Sequence, residues 1–502
     1  MMSEEQSDEF HVFPETRRRA DTIQSRYTAT KGKSPEIFLG ENSMLKGVRS
    51  IHFIGIGGIG MSGLARVLLQ MGYLISGSDK RKNSLTQRLQ TKGATIYQDH
   101  DSSHLKGVDL VIFSSIIPAD NPELLEAKRK KIPAISRGKL LGYLIRDKES
   151  IVVAGTHGKT TTTSLISSIL HRAGKNPTMF IGGELNEIGS NSQLGGDRYA
   201  VVESDESDGS FLYLLPKTCV LTGLEDDHLD YYGSQNKLVE AFIQFTHNLK
   251  AEGTLIVNQD DLLLKKVLKR ISLHYSQRLI SYGIDSEADV VANKVRLEEF
   301  TSSYEVRYRG KELERITVAL SGLYNVYNSL AAITVGRSMG VGWDQIKVSL
   351  SSFQGVKRRF EPVGQTGSGI LVIDDYAHHP TEIEEVLKAA KRIKPRIVVV
   401  FQPHRYSRTK MLLSKFARCF DDADILLLTK IYPAGESPIA GVSGRLLFNE
   451  VKGHRSKPTY YFSAPEQILD FLRKESRKND LILTIGAGNV WEVGKRFLAE
   501  SN

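Results

Sequence analysis

From Ser50 onward, short apolar runs that end in Gly, Asp or Ser alternate with longer segments whose apolar positions follow a helical period. This alternation predicts β-α units, because strands connected by helices form parallel sheets. The apolar runs predict strands at Ile51–Ile54, Leu74–Ser76, Leu110–Phe113, Ile151–Ala154, Ala200–Val202, Thr218–Leu221, Ile370–Ile373, Ile397–Phe401, Ile425–Thr429 and Leu481–Ile485. We therefore expect a fold of the α/β class.

The chain has 502 residues, well above the roughly 100–150 that are usual for one domain. Residues 1–48 show no sustained periodicity and are predicted to be a flexible extension without chemistry. The segments Arg146–Ser150 and Phe353–Arg359 each precede a new predicted strand, and we expect a domain boundary at each of them. We predict three domains, at 49–150, 151–354 and 355–502.

Composition excludes several classes of protein. Hydrophobic residues make up 40% of the chain, but no apolar stretch approaches the roughly 18 residues that a membrane-spanning helix needs. Cys219 and Cys419 are the only cysteines, which argues against a disulfide framework and fits a reducing compartment. The polar, acidic stretch Met1–Glu9 does not resemble a secretory signal, so we expect a cytoplasmic protein.

The net charge of +9 is compatible with nucleic acid or with small polyanions as ligands. No run of five or six like charges occurs, which weakens the nucleic-acid interpretation. We therefore expect neither nucleic acid nor membrane as a partner.

The first glycine cluster follows a predicted strand and precedes a predicted helix. It reads G-x-G-x-x-G at Gly55, Gly57 and Gly60. Glycines at these places let a pyrophosphate approach the helix N-terminus, and Asp79 lies where such a fold places a ribose-binding acid. The pattern is typical of a site for NAD or another diphosphate nucleotide, and a tight turn without a ligand is the alternative.

The second cluster, Gly155–Thr161, also lies between a predicted strand and a predicted helix. The backbone N–H groups of such a loop bind phosphates, Lys159 would neutralise phosphate charge, and the Thr160 hydroxyl can bind Mg²⁺. The loop is a short variant of G-x-x-x-x-G-K-[ST], since Val153 replaces the first glycine. Two phosphate loops in one chain predict that ATP is coupled to chemistry on a nucleotide-like substrate.

Acidic and basic side chains follow other predicted strands. The segments Glu203–Asp208 and Glu225–His228 place carboxylates at strand ends, where they suit Mg²⁺. The segments Asp374–Pro380 and Gln402–Arg408 bring histidines and arginines that suit carboxylate or phosphate recognition. Zinc bound by His378, His379 and His404 is a minority alternative.

Five motifs, in order, resemble the Mur ligase family of peptidoglycan synthesis over about residues 50–495. They are H-F-I-G-I-G-G-I-G-M-S-G at His52–Gly63, G-T-H-G-K-T-T-T at Gly155–Thr162, E-S-D-E-S-D-G-S-F at Glu203–Phe211, D-D-Y-A-H-H-P-T-E-I at Asp374–Ile383 and Q-P-H-R-Y-S-R-T at Gln402–Thr409. The resemblance implies a Rossmann-like N-terminal domain, a central P-loop ATPase-like domain and a Rossmann-like C-terminal domain that closes over ATP.

The resemblance also implies roles for individual residues. The residues implied to bind the UDP-sugar are Gly55, Gly57, Gly58, Gly60, Ser78, Asp79 and Ser114. The residues implied to bind ATP are Gly155, Thr156, His157, Gly158, Lys159, Thr160, Thr161, Asn325, Asn328, Arg359 and Asp374. The implied metal ligands are Thr160, Glu203 and His228, and the implied catalytic residues are Lys159, Glu203, His228 and His378. His404, Arg405 and Arg408 are implied to face the amino acid and the acyl phosphate.

Two positions depart from the family pattern. Gly223 stands where the family usually has Asn, and Tyr324 replaces a usual His beside Asn325.

The reaction implied by the resemblance is the ATP- and Mg²⁺-dependent joining of L-alanine to the lactyl carboxylate of UDP-N-acetylmuramate, through an acyl phosphate. The implied partners are these small molecules, and the expected state is a monomer or a dimer. Alternatives are a ligase of the same family that adds a tripeptide, a nicotinamide-dependent oxidoreductase, and a non-catalytic nucleotide-binding regulator.

Overall fold

A computed structural model describes residues 44–501 of the chain. The predicted extension 1–48 lies outside these residues except for its last five positions. The described chain forms three sheets with helices packed against them.

The first sheet contains five strands, all parallel, in the order β3-β2-β1-β4-β5. Its strands are β1 (Ser50–Ile54), β2 (Leu74–Asp79), β3 (Thr95–Gln98), β4 (Leu110–Phe113) and β5 (Ala134–Ser136). Its helices are α1 (Ile59–Gln70), α2 (Ser84–Thr91), α3 (Pro122–Lys130) and α4 (Arg137–Ile145). Residues 51–54 of β1 are fully buried, as expected for a parallel sheet that is covered on both faces.

The second sheet has ten strands in the order β15-β14-β13-β12-β11-β10-β6-β9-β7-β8. Its strands are β6 (Glu149–Ala154), β7 (Thr178–Leu185), β8 (Ser190–Gln193), β9 (Tyr199–Glu203), β10 (Thr218–Leu221), β11 (Thr254–Asn258), β12 (Arg278–Gly283), β13 (Val290–Leu297), β14 (Ser302–Tyr308) and β15 (Glu312–Val318). Its helices are α5 (Lys159–Arg172), α6 (Leu229–Tyr232), α7 (Gln235–His247), α8 (Leu262–Leu268), α9 (Leu323–Ser338) and α10 (Trp343–Ser351). Strands β8, β14 and β15 pair antiparallel at the two edges, whereas the others pair parallel.

The third sheet has six strands in the order β16-β17-β21-β18-β19-β20, and only β16 pairs antiparallel. Its strands are β16 (Glu361–Gln365), β17 (Leu371–Asp375), β18 (Ile397–Phe401), β19 (Ile425–Leu428), β20 (Thr459–Tyr461) and β21 (Leu481–Ile485). Its helices are α11 (Pro380–Ile393), α12 (Tyr406–Met411), α13 (Leu413–Phe416), α14 (Gly444–His454), α15 (Pro465–Glu475) and α16 (Trp491–Ser501).

All ten strands predicted from apolar runs are confirmed, with ends that differ by at most three residues. The pattern missed the edge strands β3, β5, β8, β16 and β20, the interior strands β7 and β12, and the strands β13 to β15, which pair antiparallel with one another. It also missed β11, a buried strand whose run Thr254–Asn258 resembles those that were predicted.

The strand orders place the phosphate loops at the points where the chain changes direction across each sheet. In the first sheet the chain runs from β1 to β2 and β3 on one side, and then to β4 and β5 on the other. In the second sheet β6 lies between β9 and β10. Loops that follow such strands line the crevice in which open α/β sheets bind ligands.

Within residues 44–501, the structure contains no helix with the length and apolar character needed to cross a bilayer.

Candidate active site

The central phosphate loop connects β6 to α5 and depends on two glycines. Gly155 and Gly158 have φ values of +137° and +75°, in the region that favours glycine. A Cβ at Gly155 would collide with Thr222, and a Cβ at Gly158 would collide with the side-chain oxygen of Asn328. The loop therefore lies tightly against its neighbours and leaves the first N–H groups of α5 as phosphate donors.

Lys159 is held at this loop by three acceptors. Its Nζ donates to the carbonyl oxygens of Gly155 (2.6 Å) and Thr156 (3.1 Å) and to Glu206 Oε1 (2.6 Å). Burial opposes the charge of Lys159, but the Glu206 carboxylate outweighs it, and the pKa of the lysine lies above its ordinary value. The lysine is therefore a fixed positive charge beside the phosphate-binding N–H groups.

The predicted metal ligands lie together along one cleft. Thr160 donates its hydroxyl to Glu203 Oε1 at 2.8 Å, and Glu203 Oε2 accepts the Gly182 N–H at 2.6 Å. His228 lines the same cleft, and burial lowers the pKa of its imidazole, so the ring is mainly neutral at neutral pH. A hydroxyl and a carboxylate suit Mg²⁺, and the neutral imidazole adds no positive charge. The donor set therefore fits a divalent cation.

Arg359 reaches this cleft from the segment that leads into the third sheet. Its Nη2 donates to Thr160 Oγ1 at 3.1 Å, and its guanidinium lies 5.1 Å from the ring centre of Tyr376. Arg359 lines both the cleft and the neighbouring cavity. The arginine thus connects the third sheet to the central phosphate loop.

The neighbouring cavity extends from the central loop between α9 and α11. Asn325 and Asn328 line it and are themselves hydrogen-bonded at 3.1 Å. Gly223 and Tyr324, the two departures from the family pattern, line the same cavity. The cavity is therefore suited to the nucleoside part of a nucleotide whose phosphates lie on the loop.

Two adjacent aspartates of β17 have different surroundings. Asp374, the sequence-predicted residue, lines neither cavity and instead pairs with Arg358 (2.9 Å) and Thr484 (2.6 Å). Asp375 lines the nucleoside cavity, and burial raises its pKa to about 7. The structure therefore brings Asp375, rather than Asp374, to this part of the site.

The glycine loop of the first sheet faces the same cleft. Gly58 and Gly60 line it together with Ser114. The Asp79 carboxylate accepts the Gly57 N–H at 2.9 Å and so fixes the loop.

Of the residues predicted for UDP-sugar binding, Gly55 and Ser78, like Gly57 and Asp79, do not line the cleft. Gly55 has a φ of +83° and donates its N–H to the Ser78 carbonyl at 2.8 Å. Ser78 points away from the cleft and donates its hydroxyl to the buried Glu123 at 2.6 Å. Both residues thus shape the loop.

The histidines and arginines of the third sheet form a chain of contacts that reaches the cleft. His378 lines the cleft and lies 5.7 Å, between ring centres, from His404. Arg408 lies 3.4 Å from His404 Nδ1 and 3.4 Å from both oxygens of Asp227. Burial, together with nearby positive charge, lowers the pKa of His378 to about 3 and that of His404 to about 2. Both rings are therefore neutral, whereas Arg408 carries the charge.

Arg405 and His379 occupy different positions from these residues. Arg405 precedes α12 with a φ of +70°, and its N–H donates to the Tyr432 carbonyl at 2.8 Å. His379 is directed toward His157, with 5.1 Å between their ring centres. His379 therefore faces His157, whereas the other two histidines considered for zinc, His378 and His404, face each other.

Sequence reasoning missed several side chains that the structure brings to the site. Arg137 lines the cleft beside Gly60 and donates to Asp205 at 2.9 Å. It follows strand β5, which the apolar pattern did not predict, so no predicted strand end pointed to it. Glu206 lies within a motif that was noted, but its pairing with Lys159 required the fold.

These features define a nucleotide-dependent enzyme with two facing phosphate loops. Residues 50–149, 153–336 and 358–488 match the family descriptions "Mur ligase family, catalytic domain", "Mur ligase middle domain" and "Mur ligase, glutamate ligase domain". The chain belongs to the Mur ligase family. The prediction of a three-domain α/β fold is confirmed.

Individual relatives agree with this assignment. The chain is 44% identical over 453 residues to a UDP-N-acetylmuramate–L-alanine ligase of Geobacter sp. (strain M21), covering 90% of this chain and 97% of that protein. It is 45% identical over 452 residues to the ligase of that name from Desulfatibacillum aliphaticivorans, covering 90% and 98%.

Solved structures show the same architecture. The structure is similar to UDP-N-acetylmuramate-alanine ligase MurC from Thermotoga maritima, with a TM-score of 0.78, 28% identity and coverage of 90% of this chain and 98% of that chain. It is also similar to a murein peptide ligase from Psychrobacter arcticus, with a TM-score of 0.70, 25% identity and the same coverage.

Proposed function

We propose that this chain is an ATP-dependent ligase that joins L-alanine to the lactyl carboxylate of UDP-N-acetylmuramate. The observation that carries the proposal is the shared cleft, which is lined by the glycine loop of the first sheet and by Lys159 and Thr160 of the central loop. The names of the relatives that span 90% of the chain support the substrate assignment.

In the first step, the lactyl carboxylate attacks the γ-phosphorus of ATP, ADP leaves, and an acyl phosphate forms. Lys159 and the N–H groups at the start of α5 stabilise the charge on the phosphoryl oxygens, and Arg359 adds positive charge from the third domain. Mg²⁺ held by Thr160, Glu203 and His228 would supply further charge neutralisation. Use of ATP is a property of the family, and a MurF ligase of Thermotoga maritima with the same fold is described in complex with ADP.

In the second step, the alanine amine attacks the acyl carbon and phosphate leaves. We propose that Arg408 binds the carboxylate of alanine, with the neutral rings of His378 and His404 beside it. Because the rings are neutral, they add no positive charge beside the alanine amine, and a ring nitrogen can accept a hydrogen bond from it. Much of the acceleration comes from positioning, because the cleft holds the lactyl carboxylate and the ATP phosphates against positively charged side chains such as Lys159 and Arg359.

The domain limits 49–150, 151–354 and 355–502 are part of the proposal, and each contains one sheet apart from the first two residues of β6. A cytoplasmic location is also proposed, since Cys219 and Cys419 are free and buried. We further propose that the enzyme is a monomer or a dimer, which sedimentation would decide.

The test is a phosphate-release assay with ATP, Mg²⁺ and UDP-N-acetylmuramate, in which L-alanine, glycine, L-serine and the tripeptide are offered separately. We expect release with L-alanine, and a product whose mass equals the sum of both substrates less water. The variant Lys159→Ala, purified in the same way, controls for contaminating ATPases. Release with the tripeptide but not with alanine would favour the peptide-adding alternative, and the murein peptide ligase fold match is the reason to include it.

A further inference from the structure

A cluster of three side chains lies where the central domain meets the third domain. His157 belongs to the phosphate loop, Glu225 follows β10, and His379 directly precedes α11. One ligand atom from each residue lies within 4.8 Å of the other two. We call these three residues the seam cluster.

His379 is the unusual member of the seam cluster. Its side chain is fully buried, and neither ring nitrogen has a hydrogen-bond partner among the described residues. Its Nδ1 lies 3.8 Å from Glu225 Oε2. Burial lowers the pKa of His379, which leaves the ring neutral with a lone pair. A buried imidazole without a partner is costly unless something binds it.

The other two members have supporting partners of the kind found around metal sites. His157 Nε2 faces Glu225 Oε2 at 2.9 Å, whereas its Nδ1 lies 3.1 Å from Glu382 Oε1. The second oxygen of Glu225 accepts the Thr381 hydroxyl at 2.8 Å. A carboxylate on the far nitrogen of a ligating histidine fixes the ring and makes it a better ligand.

We propose that the seam cluster binds a transition-metal cation such as Zn²⁺, with two imidazoles and one carboxylate as ligands. This donor set suits Zn²⁺, whereas the hydroxyl and carboxylate of the Thr160 site suit Mg²⁺. Binding releases the proton that the His157 imidazolium donates to Glu225. The ion replaces the hydrogen bond between them and gives His379 a partner.

The ligands come from two domains. An ion at the seam cluster ties the phosphate loop to the start of α11. Because His157 and Glu382 also line the nucleoside cavity, the bound ion lies beside the place proposed for ATP and apart from the Mg²⁺ site proposed at Thr160 and Glu203.

The test uses the full-length enzyme, freed of its tag and of metal, and equilibrium dialysis against buffered ZnCl₂ in the presence of millimolar MgCl₂. We expect about one Zn²⁺ per chain, and loss of this ion in both Glu225→Gln and His379→Gln. Glu382→Gln is expected to weaken binding about 10- to 100-fold, since it removes the carboxylate behind His157 but keeps a side-chain oxygen that can accept the His378 N–H. The variant His454→Gln, which changes an exposed histidine on α14, is the matched control and keeps the ion.

The ion must also be located, because the chain contains 13 histidines. Anomalous diffraction at the zinc edge is expected to show a peak between His157, Glu225 and His379. A peak at Thr160 and Glu203 instead, or full zinc binding by Glu225→Gln, would overturn the proposal. If His379→Gln fails to fold, Glu225→Gln still decides, because Glu225 is only partly buried.

Discussion

Removing Arg359 is expected to slow catalysis far more than it weakens the fold. Its guanidinium crosses from the third domain to Thr160 Oγ1 and stacks near Tyr376. In the variant Arg359→Ala, the protein loses the hydrogen bond to Thr160 Oγ1 and, once ATP is bound, the hydrogen bond that we propose from this charged donor to the ATP phosphates. Such a bond contributes about 1.5–3 kcal/mol, which corresponds to about 10- to 150-fold in rate. The stacking contact contributes only about 0.5–1 kcal/mol to stability.

The assay is steady-state phosphate release with ATP varied at saturating UDP-N-acetylmuramate and L-alanine. We expect kcat/KM for ATP to fall by about 100-fold, and Arg359→Lys to recover only part of it, because a lysine lacks the planar fork of arginine. The neighbouring Arg358 is the matched control. It pairs with Asp374 and with the Gly488 carbonyl inside the third domain, so Arg358→Ala should lower the melting temperature most.

Two results would refute this reasoning. A loss of less than about fivefold in kcat/KM for ATP would mean that Arg359 does not contact the phosphates. A loss confined to KM for L-alanine would place the arginine at the amino acid instead.

Three further predictions concern other parts of the chain. Lys159→Ala should abolish turnover. The affinity for UDP-N-acetylmuramate, measured by calorimetry, should stay within about twofold of the wild-type value, because we propose that this substrate lies on the first domain. An equal loss of turnover and of affinity would contradict two separate phosphate loops. Burial lowers the pKa of His157, but Glu225 and Glu382 outweigh it and raise the pKa from 6.5 to about 9. The stabilisation of the fold by this pairing is therefore fully present below pH 6.5 and is lost as pH rises through about 9. The difference in melting temperature between wild type and His157→Gln should become smaller as pH rises through this range. A difference that stays constant would contradict the prediction. Glu123→Ala removes the buried acceptor of His52, Ser78 and His104 and should cost about 3 kcal/mol in urea unfolding, whereas Glu126→Ala on the same helix should change stability little.

The sequence determined the local parts of the site. Gly55–Gly60 and Gly155–Thr161 each follow a buried apolar run and precede a helix, and the structure has both loops in that arrangement. A tight turn needs glycines at fixed spacing, so this information is contained in a few neighbouring residues. The same holds for Thr160 and Glu203, because the ends of adjacent parallel strands meet at one edge of the sheet.

The tertiary structure decided which of two neighbouring residues faces the site. Successive side chains of a strand point to opposite faces, so Ser78 and Asp79, like Asp374 and Asp375, cannot point to the same side. Which side is the cleft depends on the helices and sheets packed around the strand. For this reason the sequence selected Asp374, whereas the structure places Asp375 at the nucleoside cavity.

The contacts between domains also depended on the tertiary structure. His157 and Glu382 are separated by 225 positions, and Arg359 and Thr160 by 199. Spacing along the chain carries no information about such pairs, because their distance is set by how the three sheets and their helices pack against one another. The sequence therefore determined the phosphate loops and the order of the domains. Only the packing of the domains brought the seam cluster together and placed Arg359 against Thr160.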